Sequence, residues 1–548
     1  MATKYWVGGN GNWSSATNWR TTSGGLVVTT APGSTDAAVL DANSGASTIT
    51  VDSNITIQTL TCTGFTGTLA FGIYTISLNT TGTVFTGATT MSVSYTNEPL
   101  IIVTNASAST TITPTAVTEV NSISFRIAAG AGALTITTGG SVRTLDFTDG
   151  TNATGYSGAI ANSTLTIYGG FIASTSGMTR TAGGGVYTFA STSGTIYTIT
   201  PASVTFDNPW TFNGAGGSWR LLGALTLGSS RNCTLTAGSL DLNSNTLTAG
   251  TFTSTGSGVR YITFGGGNIS VNGTNQTVVN ITYSSDFTVN GPSNIRLIGN
   301  PSTGTRQITG PQSYFGIEQN VLSVYITGGT DTFTFGTNRV WKDIDFTGFK
   351  GSITSTTTSF ICYGNFTLDS GMTSVAAGTG NWRFAASGAA KTIDMGSLTT
   401  DVPISFINGT LQPFLNGIWS MASALLLPNS ALTITTTTLP DNLNTQTLKL
   451  KAGTTNTVGS FVTTGQGQKY LQSTTAGTQA TISDASGTNS VTYLTIQDSV
   501  ATGGATWNAY DSTNVNAGNN TGWFLPPTPA VSNEITMRLR SFTQPRRF

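Results

Sequence analysis

Asp343 and Asp345 stand two residues apart in WKDIDF. In an extended strand both side chains leave the same face. Two carboxylates on one face can do acid–base work or hold calcium. Ile344 and Phe346 alternate with them and read as core, which leaves the aspartates facing solvent. A second acidic stretch, DFTDGTN (146–152), sets Asp146, Asp149 and Asn152 around a glycine turn. It is too sparse for an EF-hand loop and reads as an incidental turn. Asp207, Asp286, Glu318 and Asp331 are scattered acids of the kind a sugar-cleaving enzyme would need in a converging pair. Sequence alone does not show them to cluster. No catalytic residue, metal ligand or cofactor is assigned on these grounds.

Composition narrows the chemistry further. The 548 residues include no histidine, which excludes a Ser-His-Asp hydrolase, a Cys-His protease and a His-ligated zinc enzyme. Cys62, Cys233 and Cys362 are far apart and lack CxxC spacing, so they read as buried thiols, not as a disulfide framework. Only 8% of residues are charged, with 22 basic and 22 acidic. A chain with zero net charge has little to attract nucleic acid or an anionic membrane, and neither is expected as a partner. No run approaches the ~18 apolar residues of a membrane span. Residues 1–20 carry no apolar stretch of the kind a secretory signal has, so release by lysis is expected over signal-dependent export.

The elements that must position these residues are short strands. STITVDSNITIQTL (47–60), GALTITTG (132–139), STLTIYGG (163–170), GSLDLNSNTLTAG (238–250) and SALTITTTTL (430–439) alternate apolar residues with Thr, Ser or Asn. That period of two, bounded by Gly or Asn, predicts strands. The strand–turn pattern also repeats. TLTCTGFTGTL (59–69) matches DIDFTGFKGSI (343–353), RTLDFTDG (143–150) begins the same way, and TYLTIQDSVATGG (492–504) is a worn copy. This alignment sets Asp345 against Asp146 and Thr61, an outward position. It sets Cys62 against Phe147 and Phe346, an inward one. Longer similarity joins 168–191 to 363–387 and 218–227 to 418–427, at offsets near 195–200.

Strand-only repeats that stack on their neighbours predict an all-β fold, a right-handed parallel β-helix (solenoid) with capped ends. At ~20–25 residues per coil and ~4.8 Å between coils, the rod would be on the order of 100 Å long. Tandem antiparallel β-sandwiches are the alternative. The expected division is an N-terminal cap (1–46), a first solenoid block (47–340), a second block repeating part of it (341–490), a terminal coil and C-terminal cap (491–525), and a tail (526–548).

The tryptophans offer a different chemistry. Trp6, Trp13 and Trp19 lie in YWVGGNGNWSSATNW, and Trp507 and Trp523 end a similar cluster at 506–523. Exposed rings of this kind stack on sugars; buried ones pack. Their place at the two ends of the strand repeats predicts caps that plug the first and last coils. Trp210, Trp219, Trp341, Trp382 and Trp419 read as core, Trp219 and Trp419 because they recur in the repeat. After Trp523 the chain changes character. LPPTPAVSNE is a proline-bearing linker, and ITMRLRSFTQPRRF follows it. There Ile535, Met537 and Leu539 alternate with Thr536, Arg538 and Arg540, ahead of Arg546 and Arg547. The segment is suited to add a strand to a partner and is expected to dock to another protein or a symmetry mate.

Several segments together resemble Gly/Thr-rich, adhesin-like β-solenoid proteins of bacteriophages and viral metagenomes. They are YWVGGNGNWSSATNW with PGSTDAAVLD (32–41), the LDFT and IDFTGF units, the stretch 210–250, and 495–525. The opening segment is also similar to the start of autotransporter-type bacterial surface passengers. The resemblance implies a non-enzymatic virion structural protein: a tail fibre, a spike or a head-decoration component. It further implies host attachment through cell-surface glycans, a homo-oligomer with a trimer favoured, and assembly in the host cytoplasm into an extracellular particle. A tailspike polysaccharide depolymerase and a bacterial surface adhesin are the alternatives.

Overall fold

The computed structural model describes residues 1–525 except 116–117, 275, 283–285, 292–293, 311–320, 337–338, 355–358, 377–378, 387–388, 409–416 and 437–444. The chain is a parallel β-solenoid, about 2% helical. The described strands lie on three faces. One coil shows the pattern: Leu225–Leu227 on the first face, the start of Asn232–Asp241 on the second and its end on the third.

Alternation along each strand builds the core. On the first face Leu225, Leu247, Ile269, Ile295, Val324, Ile344, Phe366 and Ile393 stand in register, each over the next. All eight are buried. Their neighbours in sequence, such as Thr246 and Thr248, point outward because successive side chains alternate across a strand. The second face stacks Leu165, Tyr187, Trp210, Cys233, Phe252, Val279 and Ile308. The third stacks Ile76, Ile101, Phe125, Leu145, Phe171, Ile199 and Leu221. Coil length varies: Ile496 pairs with Asn516, 20 residues on, and Ile295 with Val324, 29 residues on. Tandem antiparallel sandwiches are ruled out, because among the described strand pairs only Thr3–Trp6 with Trp19–Arg20 is antiparallel.

Two readings of the organisation change. Residues 1–46 are not a separate cap ahead of the coils. Thr3–Trp6 already pairs in parallel with Ala37–Val39, which pairs with Thr59–Thr61. The strands here are too short, and too rich in Gly and Ala, to show period-two alternation. The long repeat also does not stack face on face. Phe171 lies on the third face, whereas its counterpart Phe366 lies on the first. Phe189 lies on the second and Phe384 on the third. Trp219 and Trp419 are shifted in the same sense. The repeating unit is therefore one strand with its corner, displaced by one face.

The corner explains the recurring motif. Asp345 accepts from Thr347 N (2.8 Å) and Thr347 Oγ1 (2.6 Å). Asp146 makes the same pair with Thr148, at 2.9 and 2.6 Å. Gly348 then turns the chain at φ +95, and Phe346 and Phe349 fill the corner from inside. A side chain at that glycine would be strained, since only glycine takes positive φ freely.

Not every inward position is apolar. Lys469 is fully buried, and its Nζ donates to the carbonyls of Gly465 (2.8 Å) and Gly467 (2.9 Å). Burial pushes its pKa down to about 8 from 10.5. Between those values the unfolded chain holds a proton that the folded chain has lost, so folding is favoured by rising pH. The stability of the native protein relative to a Lys469→Met variant is expected to rise from about pH 8 toward pH 10.5. Chemical unfolding of both proteins across that range checks it; a pH-independent difference would contradict it.

Candidate functional site

All ten tryptophans of the chain are buried, so none forms a sugar-stacking platform. At the N-terminal end Trp19 meets Trp6 edge to face at 5.3 Å and Trp13 at 4.9 Å. Two of the indole N–H groups are satisfied locally, Trp6 to Gly9 O (3.0 Å) and Trp19 to Trp13 O (2.8 Å), while that of Trp13 is buried without a hydrogen-bond partner. The antiparallel Trp19–Arg20 strand covers the open edge of Thr3–Trp6, and an uncovered edge would otherwise invite pairing with other chains. At the other end Trp507 and Trp523 pack at 5.0 Å and both lie against Phe461. Trp523 donates to Ser499 Oγ at 3.1 Å. Ile535, Met537, Arg538, Leu539, Arg540, Arg546 and Arg547 lie outside the described residues.

The acids are held singly. Asp343 is half-buried and accepts from Ser323 Oγ (2.9 Å) and Asn365 N (2.8 Å). Asp345 is occupied in its corner. Asp146, read as a solvent position, is buried instead: Arg126 in the preceding coil pairs with it in register and covers it at 2.7 Å. Asp149 caps its own turn, accepting from Asn152 N and Thr151 N, both at 2.7 Å, and these bonds hold its carboxyl well below the usual range. Asp207 pairs with Arg231. Asp331 pairs with Arg306 at 2.8 Å, both side chains buried. Glu318 lies outside the described residues. Among the described residues no group of three His, Cys, Asp or Glu is placed to hold a metal ion. Cys62, Cys233 and Cys362 are free and buried, and burial pushes each thiol up to about 12.

A groove among the described residues lies where the sequence had drawn no attention. Between Thr110–Thr113 and Ser124–Ile127 the second face has no strand among the described residues; the one-turn segment Glu119–Asn121 takes its place. Asn121 Oδ1 accepts from Val93 N (3.1 Å), standing in for one bond of the missing strand. The gap widens the corner between the second and third faces into a groove of about 630 Å³. Tyr95, Arg143 and Tyr168 line it from the ends of second-face strands in separate coils, and Tyr197 from the third face. With Glu119 and Thr192 they span five coils, ~19 Å at ~4.8 Å per coil.

Its lining carries one basic and one acidic side chain, Arg143 and Glu119. The Arg143 guanidinium lies 4.9 Å from the centre of the Tyr95 ring and donates to Tyr95 Oη and to Glu119 O (2.8 Å). Glu119 accepts from Ser191 Oγ, from Thr192 N (2.8 Å) and from Thr192 Oγ1 (2.9 Å). Partial burial works against its ionisation, but these bonds and Arg143 outweigh it and hold the carboxyl below its usual range. Arg143 Nε is buried with no hydrogen-bond partner. The available sequence signal was weak: Arg143 is one of 22 basic residues in the chain, and the tyrosines are spread over a hundred positions.

Fold and geometry together define an all-β, parallel solenoid protein closed by tryptophans at both ends. No protein-family model, no curated protein and no solved structure matches the chain. No helix among the described residues is long and apolar enough to cross a membrane.

Proposed function

We propose that this protein is a structural component of a bacteriophage virion, a fibre, spike or head-decoration element, with an adhesive surface for the host. The observation that carries the reading is how chemistry is distributed in the solenoid. Carboxylates such as Asp146, Asp207 and Asp331 are bound to arginines of the scaffold. Solvent meets rows of Thr, Ser and Asn. Repeated weak contacts from such faces suit multivalent attachment, where avidity can exceed single-site affinity by ~10²–10⁴. Assembly as a homo-oligomer, with a trimer favoured, would multiply the faces.

The tail supplies the connection to the particle. Alternation of Ile535, Met537 and Leu539 with Thr536, Arg538 and Arg540 suits strand addition to a neighbouring virion protein. Immunogold labelling of purified particles should locate the protein, and deletion of 526–548 should reduce its incorporation to background. Unchanged incorporation of the deletion variant would remove the docking role. Absence of the full chain from particles would remove the virion reading itself. The depolymerase alternative has no support from Asp207 or Asp331, each engaged with its own arginine.

A further inference from the structure

We propose that the groove lined by Tyr95, Arg143, Tyr168 and Tyr197 is a binding site for an uncharged oligosaccharide. The inference rests on the adhesive reading above and names its ligand class and its place.

Three features point to that class. The first is the rings. Most large aromatic side chains of the chain face inward, but Tyr95 is 36% exposed and Tyr168 and Tyr197 are half-buried, with all three bordering one concavity. A phenol ring offers an apolar face to the C–H side of a sugar and a hydroxyl to its rim. The second is size. At about 630 Å³ the groove falls within the ~300–1,000 Å³ range of small-ligand sites, and it runs along the axis, so it suits a short chain better than a single ring.

The third feature is charge. The lining carries one charged side chain of each sign, Arg143 and Glu119. A cation approaching Glu119 finds its oxygens already accepting from Ser191 and Thr192. The pair therefore presents hydrogen-bonding groups without net charge. Arg143 Nε, buried and unpartnered, is a donor with an unmet requirement. Replacing the regular second-face strand with Glu119–Asn121 is what opens the space, so the groove is specific to these coils and is not a general property of the rod.

Binding to a printed array of neutral and anionic glycans tests this, using the full-length protein and its Tyr95→Ala/Tyr197→Ala variant. A Tyr95→Phe/Tyr197→Phe variant keeps the rings. Thermal melts of each protein establish that the fold is retained. The expected result is retention of neutral glycans by the native protein, at least tenfold weaker retention by the alanine variant, and recovery in the phenylalanine variant. Retention that survives in the alanine variant would leave the adhesive reading standing and overturn the groove as the site. Selective retention of anionic glycans would overturn the ligand class. Retention of no glycan by the native protein would overturn both. Binding of proteins to the groove in place of glycans would likewise count against the proposal.

Discussion

Replacing Asp331 with alanine is expected to destabilise the surrounding coils by about 3–5 kcal/mol. Arg306 and Asp331 face each other across neighbouring coils with side-chain exposures of 1% and 0%. Arg306 Nε and Nη2 donate to the two carboxylate oxygens at 2.8 and 2.9 Å. Its remaining donors reach Gly299 O (3.0 Å) and Gly328 O (2.6 Å), and its guanidinium lies 5.6 Å from the centre of the Phe349 ring. Removing the carboxylate leaves a guanidinium that can neither lose its proton nor reach water. The paired change Arg306→Met/Asp331→Leu should recover most of the loss, because attraction within a buried pair does little more than offset its desolvation. Hydrogen exchange of Thr305–Thr309 and Thr332–Phe335 measures the local effect. Equal losses in the single and paired variants would refute the argument.

The second large effect is expected at the opposite kind of site. Trp19→Ala should cost about 3–5 kcal/mol by cavity formation, the range for a fully buried large aromatic side chain. In a solenoid each coil rests only on its neighbours, so damage at an end stays near that end. Trp6 and Trp13 both pack on Trp19 and would lose their contact together. Limited proteolysis with mass mapping should find new cleavage in roughly the first two coils and none beyond. Cleavage spread along the whole chain would show that the cap matters to the entire rod. The matching change at the C-terminal end, Trp523→Ala, should cost less, since Trp523 retains 9% exposure where Trp19 has none.

The strand faces were legible because alternation is a property of neighbouring residues. Ile344 and Phe346 read as inward, and both are buried. Cys62, aligned with Phe147, is buried with it. The burial of the terminal tryptophans was expected too, although the first cluster lies within the opening coil and not ahead of it. The groove was not legible. Tyr95, Arg143 and Tyr197 meet only because the coils bring positions 48 to 102 residues apart to one corner, and no local pattern encodes that. Asp146 was misread for the same reason. Its neighbours in sequence allow it solvent, while Arg126, twenty residues earlier, closes over it.

The one-face displacement between the long repeats has a consequence for how such a chain can change length. Duplicating a whole coil would slide everything downstream along the axis and leave each side of the rod as it was. Duplicating a single strand with its corner would instead rotate all later residues by a third of a circle. A position that now looks outward beside the tyrosine groove would then look out from another side. The compass bearing of a surface residue is thus set by the number of strand–corner units before it, and a small insertion far upstream can re-aim a binding face without altering any residue in it.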